Sequence, residues 1–198
     1  MSQFDESKHN RQRDGKFTHK PHAEATNLGL EQPRIVPGVI PGGEAWQLPN
    51  GHFHRTNGPA ITRADGRQEW WLHGQPHRDG APAAVFPNGT QIWYKHGKQH
   101  REDGPAVSMP GGFHEWWVDG RRHRTDGPAV AYADGTEEWW VDGGLHRADG
   151  PAVVHPGGYE AWYRNGRLHR TGGPAVTNAD GSEEWWVNGQ RQDPPATD

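Results

Sequence analysis

The chain has 198 residues, no cysteine and a formal net charge of −4 with histidine neutral. Disulfides and thiolate metal sites are therefore excluded, and no net basicity draws the chain toward nucleic acid or an anionic membrane. Only 31% of the residues are apolar, too few for a globule around one central core, although eleven tryptophans offset part of the deficit.

Residues 1–34 come first in chain order. They are polar, mixed in charge and free of apolar periodicity, and they read as a disordered or extended arm. A second reading makes this arm a docking segment that orders on a partner, with Phe4, Phe17 and Leu30 as anchors among Arg11, Arg13, Lys16 and Lys20. No run is long enough to span a membrane, and the N-terminus lacks the apolar stretch of a secretory signal, so export by the general secretory route is not expected.

From residue 35 onward the chain repeats. Proline stands at 59, 82, 105, 128, 151 and 174, each 23 residues after the last, and His-Arg recurs at 54–55, 77–78, 100–101, 123–124, 146–147 and 169–170 in the same frame. Residues 35–57 read as a degenerate capping unit, with Trp46 one place early and Gln47 in the first aromatic position. Six fuller units occupy 58–190. A tail at 191–198 follows, where Pro194 and Pro195 block further strand pairing. One small unit copied in tandem makes a stacked array in which each copy leans on its neighbours.

Each unit carries a hairpin signal at its centre: Asp65-Gly66, Asn88-Gly89, Gly111-Gly112, Asp134-Gly135, Gly157-Gly158 and Asp180-Gly181. A two-residue primed turn there would set Val130 opposite Trp139 and Ala129 opposite Trp140. One face then gathers Val130 and Trp139 as a bulky apolar core. The other gathers Ala129, Glu138 and the second aromatic of each pair, as a more exposed acidic-aromatic stripe. The expected fold is thus an all-β, elongated antiparallel hairpin array. The joining segment Gly-x-x-His-Arg-x-Asp-Gly-Pro holds a second turn pair, and whether it makes a lid or a third strand (a β-solenoid) stays open.

The succession Glu-Trp-Trp-Val-Asp-Gly-x-x-His-Arg-x-Asp-Gly-Pro-Ala, followed by Asp-Gly and Glu-Trp-Trp again, resembles MORN-type repeats over residues 35–190. The His-Arg-x-Asp-Gly-Pro form is similar to a variant found in tandem in giant-virus and in actinobacterial or phage proteins. It departs from the family's His-Gly-x-Gly. The resemblance implies a hairpin array that serves as a scaffold or interaction surface, virion-associated or cytoplasmic, with no catalytic residues.

The His-Arg pairs are the one pattern that could carry chemistry. Histidines one per unit, about 10 Å apart, cannot share a zinc held at about 2.0–2.1 Å. The better reading ties Arg to an Asp two residues on and His to backbone, so neither metal nor cofactor is expected. Base stacking on the aromatic pairs is disfavoured by the neighbouring glutamates. The expected role is therefore non-catalytic binding of a protein partner, such as a repetitive assembly, with self-association left open. The contact residues would be Trp71, Tyr94, Trp117, Trp140, Tyr163, Trp186, Glu115 and Glu138 on the array, with Phe4 and Phe17 on the arm. The alternative is an inhibitor or antitoxin-like module that occludes a single protein target.

Overall fold

Two different turn chemistries divide each 23-residue unit into two successive hairpins. They are seen in a computed structural model that describes residues 32–195. In the unit starting at Gly127, the first hairpin joins Val130–Ala131 to Glu137–Glu138, with Val130 opposite Glu138 and Ala131 opposite Glu137. Its loop has three residues, not two. Gly135 takes a φ of 87°, its N–H donates to the Tyr132 carbonyl at 3.0 Å, and the Tyr132 N–H donates to the Thr136 carbonyl at 2.9 Å. Such a turn followed by a left-handed glycine bulge uses the same Asp-Gly pair as a primed turn. The Asp134 side chain caps the loop, its Oδ1 accepting the Thr136 N–H at 2.8 Å. The Gly157-Gly158 hairpin makes the same three-residue loop without such a cap.

This corrects the expected register by one residue, and a slip of one exchanges faces. Val130 shares a face with Glu138, not with Trp139. Val130 and its neighbour Ala129 are both 0% exposed. Ala129 lies at the bend that leads into the strand, so burial here runs from the end of the joining loop into Val130, while Ala131 on the opposite face is only partly buried. The core is accordingly a line of small residues: Ala60, Ala83, Ala106, Ala129, Ala152 and Ala175, with Ile61, Ala84, Val107, Val130 and Val176 beside them. Both aromatics of every pair are only half-buried, so the first aromatic is not the buried core residue expected.

The primed turn lies in the joining segment. Asp142 (φ 51°) and Gly143 (φ 82°) are both left-handed and close a tight hairpin of Trp140–Val141 with Gly144–Leu145. His73, His96, Asp119, Asn165 and Asn188 take the same conformation in the other units, each followed by a left-handed glycine. A full unit therefore contributes four short strands, where the sequence left two or three open.

Two rows of bonds join the units. First hairpins pair edge to edge into one open antiparallel sheet of 15 strands, from Arg34–Ile35 to Gln190–Gln192. At about 4.8 Å per strand it runs roughly 67 Å. The second hairpins stack beside it: the Gly143 N–H donates to the Arg122 carbonyl at 2.9 Å, and the Arg124 N–H donates to the Trp140 carbonyl at 3.0 Å. Among the described residues there is no helix. The sheet begins inside the segment read as arm and ends inside the segment read as tail.

At the N-terminal end, Trp46 occupies the structural place of a first aromatic. Its N–H donates to the Ala60 carbonyl at 2.7 Å, as Trp70 does to Ala83. The one-residue offset is absorbed by a longer loop, in which the Leu48 N–H reaches the His52 carbonyl at 2.9 Å. At the other end Gln192 stands 23 residues after His169. Its side-chain amide donates to the carbonyls of Gln190 and Arg191 at 3.2 and 3.1 Å. Arg191 is the equivalent of Leu168, whose carbonyl accepts the Gly189 N–H, so the last acceptor of the row is satisfied locally.

Candidate functional site: the loop edge and its clefts

The repeated motif is explained residue by residue. Arg124 lays its guanidinium over the Trp116 ring, 4.2 Å from the centroid, donates to the Pro128 carbonyl at 3.2 Å and pairs through Nε with Asp126 at 2.8 Å. A Cβ on Gly127 would sit 2.9 Å from that guanidinium carbon, which is why glycine suits the position. The same stack recurs from Arg55 on Trp46 to Arg170 on Trp162, at 3.9–4.2 Å. Cation–π stacking and the bond to the proline carbonyl hold every one of these loops against its unit. A second bond, to Asn57, Asp103, Asp126 or Asp149, is added at Arg55, Arg101, Arg124 and Arg147. The Arg124 guanidinium bonded to Asp126 also holds that carboxyl below its ordinary range, and Arg101 does the same for Asp103.

Each histidine binds the next unit. Nδ1 of His54, His77, His100, His123, His146 and His169 accepts the N–H of the left-handed turn residue 19 positions on, at 3.1–3.2 Å. At His54, His77, His146 and His169, accepting at Nδ1 places the proton of the neutral ring on Nε2. At His100 and His123 the same nitrogen also lies 3.1 and 3.0 Å from Oδ1 of Asp119 and Asp142, so its role there depends on the tautomer. For His54, burial and then the adjacent His73 ring push the pKa down, which favours that neutral form. The expected tie of Arg to an Asp two residues on is present at Arg101, Arg124 and Arg147. That of His to backbone is present in all six loops, with the refinement that the histidine bond crosses between units.

The aromatic–acid stripe has the opposite character from that expected. Glu115 is 7% exposed; it accepts the Trp117 indole N–H at 3.2 Å and binds Arg122 at 2.6 Å. Glu138 accepts Trp140 Nε1 at 2.8 Å and the Tyr132 hydroxyl at 3.3 Å. Glu69 and Glu184 hold Trp71 and Trp186 in the same way. Glu115 and Glu138 are therefore internal ties rather than displayed acids. Trp71, Trp117, Trp140 and Trp186 are half-buried with their N–H groups committed. Tyr94 and Tyr163 line clefts. Phe4 and Phe17 lie outside the described residues.

What remains open to a ligand is the loop edge. Between consecutive His-Arg loops lie clefts of about 520, 430, 550 and 620 Å³, each floored by a first aromatic: Trp70, Trp93, Trp116 and Trp162 in turn. The first three adjoin one another, since Arg78 and Asp79 wall the first and second, and Arg101, Glu102 and Asp103 wall the second and third. Their rims carry exposed carboxylates at Asp79, Glu102, Asp103 and Asp126. Sequence reasoning passed over Asp79 and Glu102, and read Asp103 and Asp126 as partners of the arginines. The signal available was the position after His-Arg, which varies between units while the His-Arg pair itself does not. Among the described residues, no three His, Asp or Glu side chains gather closely enough to hold a metal ion.

No protein-family model matches this chain, and no curated protein does either. The resemblance to MORN repeats rests on the quoted motif and on the compatible hairpin array.

Proposed function

We propose that this chain is a non-catalytic interaction scaffold of MORN-like repeats that engages a protein partner along its loop edge. The observation that carries the reading is the recurrence of one cleft at four places along that edge, three of them sharing walls. The histidines, arginines and carboxylates of the repeated motif support it, because they are engaged in holding units together and to one another. Groups so engaged are poor general acids or nucleophiles, whereas a fixed row of concave sites suits a partner presenting several contact points. Such a partner, in a phage- or virus-associated assembly, is the biological setting this reading favours.

The test is a photo-crosslinking residue placed singly at Glu102, at Asp126 and at Asp134, the last at the opposite end of its hairpin from the loop edge. A discrete adduct from Glu102 and Asp126 but not from Asp134, in extract of the source organism, is the expected result. An adduct from Asp134 alone, or from none of the three, overturns the proposal.

A further inference from the structure

The array provides its own internal comparison, because every position recurs in other units. The units beginning at Gly104 and Gly127 carry Glu, Val, Asp and Asp at four equivalent places: Glu115, Val118, Asp119 and Asp126, then Glu138, Val141, Asp142 and Asp149. The unit beginning at Gly150 carries Ala161, Arg164, Asn165 and Gly172 there. Three carboxylates are gone and one apolar residue has become a cation. All four changes move local charge in the same direction.

Two of the changed residues line one cleft. The cleft of about 550 Å³ has Glu102, Asp103 and Asp126 among its lining, with Val118 at its side. Its counterpart one unit pair later, of about 620 Å³, has Ala148, Gly172 and Arg164 in place of Glu102, Asp126 and Val118, and no carboxylate among its lining residues. Arg147, Arg164 and Arg170 all face it. Arg147 keeps its partner Asp149 at 3.2 Å just outside the lining, but among the described residues no carboxylate pairs with Arg164 or Arg170. The Arg170 guanidinium is held at its centre by the Trp162 ring, 4.1 Å away, and by the Pro174 carbonyl at 3.0 Å. A guanidinium fixed in this way presents its remaining N–H groups without further ordering.

We infer that this cleft is the specificity point of the scaffold and takes an acidic peptide segment of the partner, with carboxylates reaching Arg164 and Arg170. The inference rests on the scaffold reading for its choice of a protein ligand, and on charge complementarity for the ligand's sign. In a chain of net charge −4, a cationic cleft does not come from a generally basic surface. It also gives the array a polarity: acidic rims at Asp79, Glu102, Asp103 and Asp126, then a basic cleft nearer the C-terminal end.

The probe is fluorescein-labelled hexaglutamate, titrated with the full chain by fluorescence anisotropy at low and at physiological salt. Wild type should bind it, with affinity falling as salt rises. The double variant Ala148→Glu, Arg164→Val installs residues already present at equivalent places as Glu102 and Val118, so it should fold. It should bind at least ten-fold more weakly. A second variant, Glu102→Ala with Val118→Arg, should gain binding at the equivalent cleft one unit pair earlier. Absence of wild-type binding, equal binding by the first variant, or tighter binding of single-stranded DNA than of hexaglutamate each overturns the assignment. The two readings separate cleanly: an adduct at Glu102 with no hexaglutamate binding removes this cleft alone, whereas hexaglutamate binding without any loop-edge adduct removes the scaffold.

Discussion

The backbone N–H of Asp142 donates to Nδ1 of His123 at 3.2 Å, so a side chain of one unit satisfies the turn of the next. Replacing His123 by Ala removes that bond and leaves the turn N–H to solvent. We expect a loss of about 1 kcal/mol, the usual net worth of such a bond, with a lower denaturant midpoint and faster hydrogen exchange at Asp142. An unchanged exchange rate at Asp142 would mean the bond does not form in solution.

The same geometry sets a pH dependence at His54. Its folded pKa is lowered from 6.5, by burial first and by His73 second. A depressed pKa means that the unfolded chain binds the proton more readily, so this contribution is complete above about pH 6.5 and is lost as pH falls through the folded value. Asp103 and Asp126, lowered from 3.8 by Arg101 and Arg124, contribute above about pH 3.8 and lose their part only in stronger acid. Thermal midpoints should therefore fall in two stages on acidification. The His54→Gln variant should lose part of the upper stage and keep the lower one.

Arg124→Lys keeps the charge but loses the planar fork that stacks on Trp116 and bonds Pro128 and Asp126 together. A cost of about 1–2 kcal/mol is expected from the lost stacking and charge-assisted bonds. Red-shifted tryptophan emission should accompany it as Trp116 is uncovered. Full stability with unshifted emission would show that the ammonium suffices.

Glu115→Ala should be worse, at about 2–3 kcal/mol, because it strands both the Trp117 indole N–H and Arg122 beside a buried position. Glu115→Gln, which can still accept one bond, should cost less. Equal midpoints for the two variants would mean that the hydrogen bonds contribute nothing beyond packing.

Much of the architecture was readable from residue spacing. The period, the hairpins and the pairing of Arg with Asp all follow from local signals repeated in frame. The register of the first hairpin was not readable, because Asp134-Gly135 suits a two-residue and a three-residue loop equally well. The bond from Thr136 to Asp134 supports the three-residue loop without being required for it, since Gly157-Gly158 forms the same loop. The longer loop moved Val130 from Trp139 to Glu138. The roles of the glutamates followed it inward. The histidine's partner was illegible for a different reason: it lies 19 residues away, a separation that has meaning only once the units are stacked. The charge change around Arg164 was legible all along, by setting one unit beneath another.

Two parallel rows of bonds, one through the long sheet and one through the second hairpins, have a mechanical consequence. Units joined along a single line could swing about it like pages about a spine. Joined along two lines, each unit is held against rotation by its neighbour, and bending must break bonds in one row or the other. The loop edge then behaves as a ruler, graduated at about 9.6 Å per unit by the separation of paired strands. A ligand spanning several clefts is selected by the spacing of its contact groups as well as by their charge.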